Sequence, residues 1–328
     1  MSSAPVPTER AEEPPGKGAP EKGAERSTPA VGQPANGQVG PSGAEGPARA
    51  VRPAAGAEAA AGSRTGPDAQ AAGAGEPLGR RRLATEVWLV LGVSFGASAL
   101  YALIRYVGAL TASRPVQSQV ARLNSSAAPG RPWLDLALQA AGIVTALVPV
   151  LLAVHLLARH GGGRAVIGLD GRRLRSDIGW GAALAAGVGG VGLGFYLLAW
   201  QSGANLTVAP SNLPDVWWRI PVLLASAAEN GVAEEVIVAG YLLVRLRELG
   251  WGDGRALAAS ALLRGSYHLY QGLGGFMGNV AMGLLFGRIF QRTGRVLPLV
   301  IAHTLIDAVA FVGYVALAGK VSWIPVPN

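Results

Sequence analysis

The sequence contains no cysteine and few charged residues. The absence of cysteine excludes disulfide bonds, cysteine metal ligands and a cysteine nucleophile. Charged residues make up 15% of the 328 positions, against about 25% in an average soluble protein. The basic residues stand between long apolar runs, whereas a nucleic-acid-binding protein gathers them on one solvated face. The composition therefore predicts a membrane protein with arginine-marked loops and no nucleic-acid partner.

Aromatic residues are absent from positions 1–79, where Leu78 is the only leucine. Proline, glycine, alanine and glutamate dominate this segment, which carries 7 basic and 9 acidic residues. Such a segment buries too little apolar area to offset its ordering entropy. We expect residues 1–79 to be a disordered cytoplasmic tail, and residues 80–328 to be a multi-pass membrane domain.

Long apolar runs fill the rest of the chain. A membrane-spanning helix needs about 20 mostly apolar residues, and this length divides residues 80–328 into about seven spans. The predicted fold class is all-α, a polytopic membrane helix bundle in the cell membrane. The predicted spans lie near residues 86–105, 133–158, 178–199, 219–246, 254–270, 274–292 and 296–318. A glycine-rich break at 272–275 predicts a bent or re-entrant connection before the sixth span.

The arginines predict the orientation of the bundle. Positive residues favour the cytoplasmic side, so Arg80–Arg82 would keep the tail inside. Threading seven spans then places the arginines of residues 159–175, 245–255 and 288–295 inside as well. The loop 201–218 has no basic residue before Arg219 and falls outside. Arginines at 114, 122 and 131 disagree with this threading, because they fall in the first external loop.

Ionisable residues within the apolar helices are the candidates for chemistry. A central charge costs about 2.5–3.5 kcal/mol on insertion scales, so such residues usually face the bundle interior and have a function. Here they form three clusters on three helices. The clusters are Glu234 and Glu235 (with Glu229 nearby), Arg264 and His268, and His303 and Asp307. Together they offer a base, neutral donors and a counter-charge inside a dry bundle.

Less specific interpretations exist for each cluster. The two glutamates could be solvated at the cytoplasmic edge beside Arg245 and Arg247, although Glu234 lies about 16 Å along the helix from Arg245. Either pair spaced by four residues could be a polar contact that holds helices together. His155 and His160 lie where the second span meets a basic loop, so we interpret them as interfacial. Three clusters in one bundle favour a functional site.

The order of these motifs resembles the CPBP family of intramembrane proteases, which includes the CAAX prenyl endopeptidases and bacteriocin-immunity relatives. The family pattern is Glu-Glu-x-x-x-Arg, then Phe-x-x-x-His, then His-x-x-x-Asn/Asp on separate helices. Glu234 and Glu235 match the first motif, His268 the second, and His303 with Asp307 the third. The resemblance covers about residues 219–312, which would form the protease core.

Two positions depart from the family pattern. Ala239 stands where the family has arginine, and Arg264 stands where the family has phenylalanine. We hypothesise that Arg264 supplies the missing positive charge from the neighbouring helix. If it does, the site is a variant with its charge balance retained. If it does not, the chain is an inactive relative.

The resemblance implies an intramembrane endopeptidase acting on a membrane-bound protein or peptide. Glu234 would be the general base for a water held jointly with His268, and His303 with Asp307 would stabilise the oxyanion. Glu235 and Arg264 would set the charge of the site. The scheme needs no cofactor or metal, although two histidines and a glutamate could also ligate zinc.

Two other function classes stay open. A catalytically inactive membrane scaffold or immunity-type relative would retain the fold, and Ala239 favours it slightly. A proton-coupled transporter would also carry intramembrane Glu, His and Asp. Transporters often contain repeated halves, and the sequence shows no repeat. Detection of a cleaved peptide distinguishes a protease from both alternatives.

Overall fold

The computed structural model describes residues 79–159 and 161–326, most of which are helical. The helices are α1 (Arg80–Gly92), α2 (Phe95–Thr111), α3 (Pro132–Ala146), α4 (Val148–Ala158), α5 (Leu174–Gln201), α6 (Arg219–Glu234), a π-helix (Glu235–Tyr241), α7 (Leu242–Glu248), α8 (Asp253–His268), α9 (Leu273–Thr293) and α10 (Leu297–Leu317). Two short strands complete the fold, β1 (Val120–Asn124) and β2 (Thr207–Ser211). The all-α membrane bundle predicted from the sequence is confirmed.

Each of the seven predicted spans coincides with helical structure, but three are interrupted, and the second span has a one-residue break at Leu147 between α3 and α4. The first consists of α1 and α2, which bend by 51° at a short break. Arg80–Arg82 belong to α1 and do not precede it. The fourth contains the π-helix between α6 and α7. The predicted break before the sixth span is present, and Gly272 adopts φ +114° there, a conformation that glycine tolerates without strain.

Four helical segments are long and apolar enough to cross a membrane among the described residues. They are Pro132–Ala158, Leu174–Gln201, Leu273–Thr293 and Leu297–Leu317. The bent pair α1–α2 raises this number to five. The segment α6–α7 and the helix α8 do not meet the criterion of length and composition, and these are the helices that carry Glu234, Glu235 and Arg264.

Apolar side chains cover the outside of the bundle. Val191 of α5, Val309 of α10 and Trp88 of α1 are each about three-quarters exposed, at 76%, 73% and 75%. Large exposed apolar surfaces are unusual in soluble proteins, whereas the hydrocarbon interior of a membrane accommodates them. The outer faces of these helices are therefore those of a membrane protein.

The buried core surrounds the π-helix. Val236, Ile237 and Tyr241 are at most 1% exposed, and they pack in one cluster with Phe286 of α9 and Leu299 of α10. Helix α8 packs along α9, and α10 packs against both α5 and α6. These contacts place α6, the π-helix, α8 and α10 side by side in the interior.

One end of the bundle carries the two strands. β1 and β2 pair in parallel, with Val120 opposite Thr207 and Asn124 opposite Ser211. The residues just before β2 reach the break before α9 through an antiparallel bridge between Asn205 and Gly272. The threading of seven spans places all three segments on the same side of the membrane. The sequence did not predict these strands.

The other end of the bundle carries arginine-rich loops. The Arg295 guanidinium binds Asp177 of α5, with Nη2–Oδ2 at 2.6 Å, and Asp170 of the preceding loop, with Nη2–Oδ1 at 3.0 Å. Partial burial raises the pKa of the Asp170 carboxyl, but the hydrogen bonds from Arg295 and the Arg172 backbone, together with the charges of both arginines, leave the pKa below its ordinary value. The threading of seven spans places these loops on the same side of the membrane, and the contacts of Arg295 with Asp170 and Asp177 are consistent with that placement.

Some predictions concern residues without a description. The predicted disordered tail at 1–79 lies outside the described residues except for Gly79, and so does His160. His155 is exposed at the end of α4. The assignment of the arginine-rich end to the cytoplasm stays a prediction from the positive charges.

Candidate active site

The two adjacent glutamates lie where the helix changes type. Glu234 is the last residue of α6, and Glu235 is the first residue of the π-helix. A π-helix is wider than an α-helix, is rare, and frequently marks a functional site. Because a wider helix turns by a smaller angle per residue, it lets neighbouring side chains point in more similar directions.

Both glutamates contact one guanidinium group. Arg264 of α8 places Nη1 2.7 Å from Glu235 Oε1 and Nη2 3.2 Å from Glu234 Oε2. All three residues are buried, with Arg264 1% exposed and Glu235 fully buried. Two close carboxylates in a low-dielectric interior repel each other strongly, and a positive charge between them offsets that repulsion. The structure therefore places Arg264 where the hypothesis of a relocated charge requires it.

His303 of α10 completes this buried cluster. Its Nδ1 lies 2.9 Å from Glu235 Oε1 and 3.2 Å from Arg264 Nη2. The shorter contact favours a proton on Nδ1 that is donated to Glu235. Asp307 is the weaker candidate for orienting His303, because its Oδ1 is 3.8 Å from His303 Nε2. Asp307 accepts a hydrogen bond instead from Asn230 Nδ2, at 3.0 Å.

His268 approaches Glu234 from the end of α8. The distance from His268 Nε2 to Glu234 Oε1 is 3.8 Å, too long for a direct hydrogen bond. His268 Nδ1 lies 3.0 Å from the carbonyl oxygen of Arg264, which fixes the ring and favours a proton on Nδ1. The other oxygen of Glu234 accepts a hydrogen bond from the Tyr267 hydroxyl at 2.8 Å. Glu234 Oε1 is thus the oxygen left to act on another group.

A cavity of about 380 Å³ lies against this cluster. Its wall includes Glu234, His268, His303 and Asp307, so four of the six predicted site residues face it. Glu229, Asn230 and Tyr267 also line it. Glu235 and Arg264 do not form part of the wall; they lie behind it and contact the residues that do. The cavity is large enough for a short peptide segment.

Close helix contacts hold the cluster together. A Cβ atom at Gly231 of α6 would lie 2.5 Å from Thr304 Oγ1 and 2.9 Å from the Thr304 backbone nitrogen. A Cβ atom at Gly283 of α9 would lie 2.9 Å from the Ala261 Cα atom. Only glycine permits these approaches, which bring α6 onto α10 and α9 onto α8. The glutamates therefore reach His303 because Gly231 lets the two helices touch.

Sequence reasoning missed Tyr267 and Asn230. Tyr267 directly precedes His268, and Asn230 lies one helical turn before Glu234, so position within the motifs was the available signal. No sequence motif indicates the π-helix. Across residues 79–159 and 161–326, no group of three or more His, Asp or Glu side chains is arranged to hold a metal ion.

The comparison with known families agrees with these motifs. Residues 216–309 match the family model described as type II CAAX prenyl endopeptidase Rce1-like. This segment is therefore similar to an Rce1-like domain. The match confirms the resemblance to the CPBP intramembrane proteases that the motifs indicated. No curated protein and no solved structure matches the chain.

The Rce1-like domain contains every predicted site residue. It begins just before α6 and ends within α10, close to the predicted core at about 219–312. Its family supports an endopeptidase-type function in a membrane and a membrane-associated substrate. Helices α1 to α5 lie outside the Rce1-like domain, yet α2 contributes Phe95 and Ser98 to the cavity wall.

Proposed function

We propose that the chain is an intramembrane glutamic endopeptidase, which hydrolyses a peptide bond of a membrane-associated protein or peptide in the cell membrane. The observation that carries the proposal is the pair of Glu234 Oε1 and His268 Nε2, which face one cavity 3.8 Å apart. This spacing lets one water molecule contact both atoms. The chain binds no cofactor in this scheme.

Glu234 acts as the general base. Its Oε2 is held by the Tyr267 hydroxyl and Arg264, so Oε1 is aimed at the cavity and accepts a proton from water. The oxygen of that water attacks the carbonyl carbon of the scissile bond, whose π electrons move onto the carbonyl oxygen. The carbon–nitrogen bond then breaks, and Glu234 returns its proton to the leaving amine.

His303 and Asn230, which both line the cavity, stabilise the oxyanion. With Nδ1 donating to Glu235, His303 donates from Nε2 only in its protonated form, whose charge Glu235 and Asp307 balance. Asp307 accepts from Asn230 and orients its amide toward the cavity. Preorganised donors of this kind contribute about 10²–10³ in rate each. Arg264 and Glu235 fix the charge of the site.

A non-catalytic scaffold remains the second candidate, because Ala239 departs from the family pattern. Cleavage of a membrane-peptide library by the purified full-length chain in detergent tests the proposal. Wild-type protein should release products, and Glu234→Gln and His268→Ala should not. The variant Asp215→Asn is a matched control, because Asp215 is 90% exposed in the loop before α6, at the end of that helix opposite to Glu234.

Three results would contradict the proposal. Absence of products from folded wild-type protein would favour the scaffold. Products that persist in Glu234→Gln would exclude glutamate as the base. Loss of cleavage with a chelator would show that the reaction depends on a metal ion and not on glutamate alone.

A further inference from the structure

The cavity extends to the end of the bundle that carries the strands, where its lining residues are partly exposed. Leu123 and Asn124 of β1 line it, as do Tyr270 and Gln271 of the turn after α8. That turn is attached to the segment before β2, because Leu206 N donates to the Gln271 carbonyl oxygen at 2.9 Å. The mouth of the cavity is therefore built by loops and strands of this end.

The wall of the cavity extends from the strand-bearing end toward the middle of the bundle. Along α6, which begins at the strand-bearing end, Ser226 lies about 10 Å and Glu234 about 22 Å from Arg219 at 1.5 Å per residue. Along α10, His303 lies about 21 Å from Leu317, which is at the same end. The proposed base and the oxyanion donor are thus at the floor.

The opposite end of the bundle is closed. Below the floor lie Glu235 and Arg264, neither more than 1% exposed, and then the buried core around the π-helix. Within the described parts of the chain, no residue of the arginine-rich loops contributes to the cavity wall. A substrate has no open path to Glu234 from that end.

The positive charges predict which side each end faces. The loop that holds Arg172, Arg173 and Arg175 and the segment Arg288–Arg295 belong to the closed end. The open end carries fewer arginines, at positions 114, 122, 131 and 219, and positive residues favour the cytoplasm, so the closed end is assigned to the cytoplasm. The ring centroids of Trp133, at the start of α3, and Trp217, just before α6, lie 6.4 Å apart. The two side chains are 70% and 72% exposed, and exposed tryptophans are typical of a membrane–water interface.

We infer that the cavity opens to the extracytoplasmic face and takes its substrate there. The substrate is an extended peptide segment of an exported or outer-leaflet-anchored membrane protein, which enters at the level of the interfacial tryptophans. The nature of the substrate rests on the proposed function. The direction in which the cavity opens does not, and it can be measured without any cleavage.

The absence of native cysteine makes the measurement direct. Single cysteines are introduced at Arg122 of β1, at Arg172 of the arginine-rich loop, which is 82% exposed, and at Ser226 in the cavity wall. Each variant is labelled in right-side-out and in inside-out vesicles. A membrane-impermeant maleimide labels the cysteines at 122 and 172, and a small cationic thiosulfonate labels the cysteine at 226. The variant Ala227→Cys is the matched control, because Ala227 is fully buried and absent from the wall.

We expect Arg122→Cys and Ser226→Cys to react in right-side-out vesicles, Arg172→Cys in inside-out vesicles, and Ala227→Cys in neither. Labelling of Ser226→Cys from the Arg172 side, or its failure to react from either side in folded protein, would overturn the inference. So would labelling of Arg122→Cys from the inside. If the labelling is as expected but no peptide is cleaved, the proposed function is wrong and the inferred direction of the cavity is confirmed.

Discussion

Arg264 Nη1 lies 2.7 Å from Glu235 Oε1, and the same guanidinium reaches Glu234 with its other terminal nitrogen. The ring of Phe286 lies on one side of the guanidinium, 5.7 Å from its carbon. Arg264 is therefore the positive charge on which two neighbouring buried carboxylates depend.

Replacement of Arg264 by phenylalanine, the residue of the family pattern, should destabilise the chain. It leaves Glu234 and Glu235 without a counter-charge, and removal of one partner of a buried ion pair costs about 3–5 kcal/mol. Thermal unfolding in detergent measures the effect. A matched surface change is Arg247→Gln, whose pair with Asp253 is half exposed and should shift the midpoint little.

Addition of Ala239→Arg to Arg264→Phe should restore part of the lost stability and activity. Ala239 lies one turn after Glu235 on the same helix and is buried, so an arginine there returns a positive charge to the cluster. The comparison is between the single and double variants in unfolding and cleavage assays. An additive loss in the double variant would show that the charge has not moved from position 239 to position 264.

Tyr267→Phe should lower kcat without unfolding the chain. The phenol donates to Glu234 Oε2 at 2.8 Å, and a hydrogen bond to a charged group contributes about 1.5–3 kcal/mol. The expected decrease is about 10- to 150-fold in kcat, with KM unchanged. Tyr270→Phe is the comparison, because the Tyr270 hydroxyl accepts its hydrogen bond from Gln271 Nε2, at 3.2 Å. Equal kcat values for both variants would contradict a role for Tyr267 in holding Glu234.

Gly231→Ala should separate α6 from α10 and abolish activity. Its Cβ would lie 2.5 Å from Thr304 Oγ1, closer than real contacts allow. We expect a lower unfolding temperature together with lost cleavage. Gly313→Ala, also in a helix of the bundle, has no atom within 4 Å of the added carbon and should retain both. Wild-type behaviour of Gly231→Ala would show that the helices do not meet as closely as described.

The stability of the π-helix should depend on two hydrogen bonds that Val238 and Tyr241 make with neighbouring helices. Ser260 Oγ donates to the Val238 carbonyl oxygen at 2.9 Å, and Tyr241 Oη donates to Glu86 of α1 at 2.9 Å. Removal of either by Ser260→Ala or Tyr241→Phe should speed amide hydrogen exchange of residues 235–241 and lower kcat. Unchanged exchange in both variants would mean that packing alone maintains the π-helix.

The sequence predicts the helices and most residues of the candidate site for identifiable physical reasons. Apolar length defines a span, and a charge within a span stands out because its insertion is costly. This is why Glu234, Arg264 and His303 were found together. Charge balance predicts that Arg264 supplies the positive charge that Ala239 lacks, and the contacts of Arg264 with both glutamates are consistent with that hypothesis.

Other features could not be predicted from the same patterns. The π-helix has no distinct periodicity over seven residues, so it was read as part of one long span. The strands β1 and β2 are short, lie in loops and pair across more than 80 residues of sequence, with Val120 opposite Thr207. The cavity depends on how distant elements meet, for example Asn124 and Glu234, and no local pattern contains that information.

The most direct test of the central claim compares the cleavage rate of one membrane-peptide substrate by wild-type protein and by Glu234→Gln, with products identified by mass spectrometry in ¹⁸O-labelled water. The account predicts that wild-type protein releases a peptide with one ¹⁸O atom in its new carboxylate, and that Glu234→Gln, folded to the same degree, releases none. Cleavage by Glu234→Gln at the wild-type rate would contradict it.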